Sequence, residues 1–295
     1  MASEALGQLI EGMRANGPDF TRPPAEARAE FEGLLATMPE PEGFTFHDTD
    51  LGGIPAIECH ADGGAGEGAL LYFHGGGYVV GSARGYRGLP ANLGRAAGLP
   101  AFAIEYRLAP EHPFPAAIED AVTAYRALLE RGVDAGRIVL AGDSAGGGLA
   151  VAAMLALREQ GLPLPAAALL LSPWADLACE GRSFVSKVEE DPSLTPAGLR
   201  AMAGHYLQGA DPRDPLASPI FADLSGLPPL MIQVGSSEIL LDDAVRLAGA
   251  AGAGGTAVRL EIWPEMIHVW QSFAFMLPEG REAIEAAGRF LRDCL

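Results

Sequence analysis

Arg137-Ile138-Val139-Leu140-Ala141 runs into Gly142-Asp143-Ser144-Ala145-Gly146, and Gly147-Gly148-Leu149-Ala150-Val151-Ala152-Ala153-Met154 follows. The first stretch reads as a buried strand and the last as a helix of small residues. Between them the chain must turn sharply, and glycines at 142 and 146 permit a turn too tight for side chains. Ser144 stands at its apex. A Gly-x-Ser-x-Gly pentapeptide arises easily by chance in a chain with 38 glycines. Its place at a strand-to-helix junction is what predicts a nucleophile elbow. A lone serine hydroxyl attacks poorly, so the elbow demands a base, an acid to orient it and donors for an oxyanion.

Outward from the elbow, short apolar runs predict strands at 69–74, 100–106, 137–141, 167–172, 229–234 and 258–263. Helices are expected between them, at about 85–97, 115–132, 145–161, 241–252 and 279–293. Continuous apolar strands alternating with helices imply an α/β fold, a mostly parallel sheet covered on both faces. Phe44–Phe46 and Gly53–Cys59 alternate like edge strands. Residues 1–42 read as polar, amphipathic helices broken at Gly17-Pro18 and Pro23-Pro24. The core then spans 43–177 and 229–295. Between them, 178–228 holds no clear buried strand but an apparent helix over 195–207, and an insertion of that length predicts a functional cap.

Bulk properties narrow the function. The 295 residues carry 20 basic and 38 acidic side chains, a net charge of -18, which disfavours nucleic acid and anionic membrane surfaces. Three scattered cysteines suggest a reducing compartment. The N-terminus lacks a basic start and an unbroken apolar stretch, and the run 162–175 is too short for a membrane span. A soluble, cytoplasmic protein is expected, with a homodimer among the expected assemblies. No HExxH, CxxC or paired-histidine pattern predicts a metal, and no cofactor is expected. Gly252–Gly255 has no following Gly-Lys-Ser/Thr and reads as a turn.

The chemistry gathers around Ser144. Upstream, the strand Leu70–Phe73 runs into His74-Gly75-Gly76-Gly77-Tyr78, and such bare backbone brings amides close to a substrate. The expected oxyanion donors are the amides of Gly76 and Gly77, with Gly75 as a further candidate, and that of Ala145 just after the nucleophile. Of six histidines, only His268 follows the last strand, as the order serine, acid, histidine requires. The acid belongs in the loop Gly235–Asp243, where Glu238 lies nearest the strand end. Asp242 and Asp243 compete, but either suits the N-terminus of the next helix.

Taken together, HGGGY at 74–78, EYRLAPEHPFPAA at 105–117, GDSAGG at 142–147, SPWADL at 172–177, GSSEILLDD at 235–243 and His268 resemble the hormone-sensitive-lipase-like (bacterial family IV) esterases of the α/β-hydrolase fold. The resemblance implies Ser144, Glu238 and His268 as catalytic residues, and a cap formed by the N-terminal helices with 178–228. Two positions depart from the family pattern. Its acid is usually aspartate where this chain has Glu238, and one extra methylene asks for a slightly retracted backbone. Glu105 stands where aspartate usually begins the tyrosine-arginine motif, and reads as structural. So do Arg107 and Glu111, as parts of a polar network beneath the site, and Asp143, as a brace for the elbow.

The expected activity is hydrolysis of short- to medium-chain esters of small molecules through an acyl-serine. Met13, Phe20, Phe31, Met202, Tyr206 and Leu207 are candidates for an apolar pocket in the cap. An arylamide amidase or deacetylase would use the same residues. A non-catalytic small-molecule receptor would generally have lost one of the three, and all are present.

Overall fold

Alternate side chains of the central strands enter different cores. Leu71, Phe73, Leu140, Ala168, Leu170 and Ile232 belong to one apolar cluster, and Leu70, Tyr72, Val139, Ala141, Leu169 and Met231 to another on the opposite face. This is why those strands read as unbroken apolar runs. The computed structural model describes residues 3–295; Met1 and Ala2, the start of the expected N-terminal cap segment, lie outside the described residues.

Two helices, α1 (Glu4–Asn16) and α2 (Pro24–Leu35), precede strands β1 (Phe44–Leu51), β2 (Ile54–Ala61) and β3 (Ala69–Phe73). Then come α3 (Ala83–Tyr86), α4 (Gly88–Ala97), β4 (Ala101–Ile104), α5 (Ala116–Glu130), β5 (Ile138–Asp143), α6 (Ala145–Glu159) and β6 (Ala167–Leu171). The chain finishes with α7 (Ser183–Ser186), α8 (Pro196–Leu207), β7 (Leu230–Gly235), α9 (Leu241–Ala253), β8 (Val258–Trp263) and α10 (Pro278–Cys294). The strands form one sheet in the order β1-β2-β4-β3-β5-β6-β7-β8. Only β1 with β2 and β2 with β4 pair antiparallel; from β4 to β8 every neighbour is parallel. Helices α5, α6 and α9 contribute to the first core, and α4 and α10 to the second.

The helix expected at 85–97 is two helices, α3 and α4, meeting at Arg87. Ser82 caps α3 by accepting a hydrogen bond from Gly85 N, which starts that helix earlier than the apolar pattern indicates. At the cap helix α8, Thr195 accepts from Gly198 N and Pro196 occupies the first turn, as Pro196 itself suggests.

In the EYRLAPEHPFPAA segment, three charged residues make bonds that tie the fold together. Arg107 pairs with the nearly buried Asp120 and with Glu119. Glu105 accepts the Ala83 amide at 2.8 Å. Glu111 takes both terminal nitrogens of Arg28, whose remaining donors reach the carbonyls of Val79 and Ala109. Through that one guanidinium, α2 is fastened to the loop that follows Tyr78. No helix among the described residues is long and apolar enough to cross a membrane.

Candidate active site

Five loops leave the sheet at the same edge, after β3, β5, β6, β7 and β8, and the site is built from them. After β5 the backbone of Ser144 takes φ 53° and ψ -121°, a conformation that costs on the order of 1–3 kcal/mol unless its surroundings impose it. They do. Ser144 N donates to Leu171 O at 2.8 Å, and Ser144 O accepts from Gly147, Gly148 and Trp174 amides. A Cβ on Gly146 would collide with the carbonyl oxygen of Phe73, and one on Gly142 with that of Gly146. Both elbow glycines are therefore demanded by backbone packed on backbone.

The loop after β3 is tied to the elbow. His74 is buried and stacks between Tyr106 and Tyr86, with ring centroids 4.3 and 5.5 Å away. Burial pushes its pKa down to about 4, so the ring is neutral at ordinary pH. Its Nδ1 lies 2.7 Å from Gly75 O, and a carbonyl can only accept, so Nδ1 carries the proton. The adjoining Gly76 and Gly77 have φ of 111° and 60°, values that favour glycine.

One expectation is corrected here. The amide of Gly75 donates to Asp143 Oδ1 at 2.9 Å and is not available to an oxyanion. Asp143 also accepts from the Tyr72 hydroxyl at 2.5 Å, so the residue before Ser144 braces elbow and glycine loop together, as expected of it. Burial lifts its carboxyl to about 6 against those bonds. Among the described residues, no protein group accepts from the amides of Gly76, Gly77 or Ala145.

On the other side, Glu238 is fully buried. Its Oε2 lies 2.7 Å from His268 Nδ1, while Oε1 accepts Gly235 N at 2.6 Å and Ser172 Oγ at 2.8 Å. Ser172 Oγ in turn accepts from Val269 N. Burial favours a neutral His268 ring, but the Glu238 hydrogen bond and charge, with Asp191 and Asp143 further off, outweigh it and leave the pKa above the usual histidine value. Asp242 instead accepts the amides of Arg182 and Ser183. Asp243 accepts those of Ala175 and Asp176. Neither of these two carboxylates is bonded to the imidazole.

Ser144, His268, Gly76 and Gly77 all face one cavity of about 1200 Å³. Its outer walls come from α1, α2 and the segment after α2, from Pro192–Leu194 with Leu199 and Met202, and from residues 271–276. Of the expected pocket residues, Met13, Phe20, Phe31 and Met202 line it. Tyr206 and Leu207 do not: Tyr206 is buried and stacks on Tyr78, centroids 3.9 Å apart.

Two residues that sequence reasoning passed over belong to the site. Ser172 is the first residue past β6, on the strand edge where catalytic loops emerge, and that position was the available signal. Asp191 holds Ile239 N, the residue after Glu238; nothing local marks it.

Residues 70–272 match a family model described as the alpha/beta hydrolase fold. An acetyl-hydrolase of Streptomyces hygroscopicus is 60% identical over 223 residues, which cover 76% of this chain and 75% of that protein. Among solved structures, an esterase from the bacterial hormone-sensitive lipase family superposes with a TM-score of 0.95 at 47% identity, covering 99% of each chain. EstE5 soaked with p-nitrophenyl butyrate does so with a TM-score of 0.94 at 43% identity, also over 99% of each. An elbow serine, an imidazole bonded to a buried carboxylate and these similarities point one way: the chain belongs to the bacterial hormone-sensitive-lipase-like family of the α/β-hydrolase fold and is a serine carboxylesterase.

Proposed function

We propose that Ser144, His268 and Glu238 form the catalytic triad and that the Gly76, Gly77 and Ala145 amides form the oxyanion hole. The carrying observation is the 2.7 Å bond between the buried Glu238 and His268 Nδ1, on the wall of the cavity that Ser144 also faces. With Nδ1 bonded to the carboxylate, Nε2 is the nitrogen left to act as base. His268 takes the Ser144 proton as Oγ attacks the ester carbonyl, and Glu238 holds the resulting imidazolium. The amides stabilise the tetrahedral oxyanion, an effect worth about 2.7–4 kcal/mol per donor in hydrolases generally. His268 then protonates the departing alcohol. A water that gives its proton to His268 attacks the acyl-serine, and as the carboxylic acid leaves His268 returns that proton to Ser144 Oγ.

The proposal extends to substrate. Small esters with short to medium acyl chains are favoured, because Met202 packs so closely on Gly77 that a Cβ there would collide with its sulfur, closing that side of the oxyanion loop. An acetyl-hydrolase relative and a soaked butyrate ester point the same way. Residues 1–42 and 178–228 act as the cap. A cytoplasmic location, supported by three free cysteines, and a homodimer, supported by the half-exposed Ile262 on the edge strand β8, complete the reading. A series of p-nitrophenyl esters checks it. Turnover is expected to peak between acetyl and hexanoyl and to vanish in Ser144→Ala, whereas a peak at dodecanoyl or an active alanine variant would contradict it.

A further inference from the structure

The segment after α7 is hydrogen-bonded to the acid loop through the side chain of Asp191. Asp191 is nearly buried, at 8% exposure. Its Oδ1 accepts from Ser193 N at 2.8 Å and Leu194 N at 2.9 Å, and Pro192, Ser193 and Leu194 line the cavity. Its Oδ2 accepts from Ile239 N at 2.9 Å. Ile239 follows Glu238 directly, so one carboxylate grips both a wall of the substrate cavity and the backbone of the acid loop.

We propose that Asp191 is a positioning residue for the triad. It holds the acid loop where the longer glutamate side chain meets His268, and it couples that alignment to the seating of the 192–194 wall. Glu238 Oε1 is fixed by Gly235 N and Ser172 Oγ, which locate the far end of the side chain. Asp191 locates the near end, through the peptide that joins residues 238 and 239. Burial raises the Asp191 carboxyl above the usual aspartate value, and His268 with the three backbone amides its oxygens accept works against that rise. The carboxylate also acts on the imidazole. The titratable groups that bear on His268 are Glu238 from the loop after β7, Asp191 from the insertion and Asp143 from the end of β5, and all three favour its protonated form.

This inference rests on the proposed triad, and Asp191→Asn tests it. Asparagine cannot accept at both positions, since its NH2 faces either Ile239 N or the Ser193 and Leu194 amides. With p-nitrophenyl acetate, kcat should fall about tenfold, as expected of a small misplacement of a reacting group. Removing the negative charge should also move the acidic limb of kcat/KM to lower pH by about half a unit, a readout that loss of folded protein alone leaves in place. A kcat within twofold of wild type and a coincident acidic limb would overturn the proposal. Should the asparagine variant fail to fold, Asp191→Glu carries the test: it keeps the charge but misplaces it, so kcat falls while the limb stays, and unchanged kcat sinks the idea. Glu238→Gln separates the two levels. If that variant turns over like wild type, the triad reading fails. If it is inactive while both Asp191 variants match wild type, only the role of Asp191 fails.

Discussion

The two halves of the site are specified in different ways. On the serine side, constraints are backbone against backbone: Gly146 under Phe73 O, Gly142 under Gly146 O, and a strained Ser144 held by bonds to Leu171 and Trp174. On the acid side they are side chains reaching across the sequence. Ser172 reaches Glu238 and Val269, Glu238 reaches His268, and Asp191 reaches Ile239. Packed backbone tolerates no substitution but glycine, whereas a relay of side chains loses activity in steps as each partner is removed.

The sharpest way to break that contrast is Gly146→Ala. The added methyl meets a carbonyl oxygen within strand and helix, neither of which can retreat, so a destabilisation of several kcal/mol is expected, above the usual range for point mutants. Thermal melting and activity after purification check it. A variant with near-native melting temperature and turnover would mean the elbow is softer than its contacts imply.

On the acid side, Ser172→Ala should cost less. It removes one hydrogen bond to a carboxylate that keeps Gly235 N, so about a tenfold loss in kcat is expected with the fold retained. A loss as complete as that of Ser144→Ala would show that the relay tolerates no stepwise damage.

The last effect is on stability and concerns Asp143, whose carboxylate braces the elbow to the glycine loop within the serine side. Asp143 titrates near 6 in the folded chain because burial raises it, against about 3.9 when unfolded. The folded state therefore binds more protons between those values. Its stability falls as pH rises through that window, by about 3 kcal/mol in total. Asp143→Asn lacks this dependence, so urea titrations at pH 4 and pH 7 should show the variant gaining on wild type at the higher pH. A gap that does not change with pH would contradict the buried, proton-linked carboxyl.

The same contrast explains what the sequence disclosed. The elbow, the glycine loop and the doubly covered sheet were legible because local spacing encodes them: glycines where side chains collide, and apolar runs where both faces are buried. His268 followed from chain order, and Glu238 from its distance to a strand end. Gly75 was misread because three like glycines differ only in what lies opposite, and opposite Gly75 lies Asp143. Asp191 was silent for the same reason, since its partner Ile239 lies 48 residues away; Ser172 was marked only by its place past a strand end, its partner Glu238 lying 66 residues on. Likewise, the early start of α3 depends on the Ser82 cap rather than on any change in the apolar pattern.

The central claim, that Glu238 acts through His268, is tested most directly by a double-mutant cycle. Glu238→Gln, His268→Ala and the combined variant are compared by kcat with p-nitrophenyl acetate, with each shown to be folded. Residues working as one unit are strongly non-additive. Glu238→Gln alone is expected to lower kcat by about 10⁴-fold, and the combined variant should be no worse than His268→Ala. Losses that multiply, or a Glu238→Gln enzyme that keeps wild-type turnover, would contradict the relay.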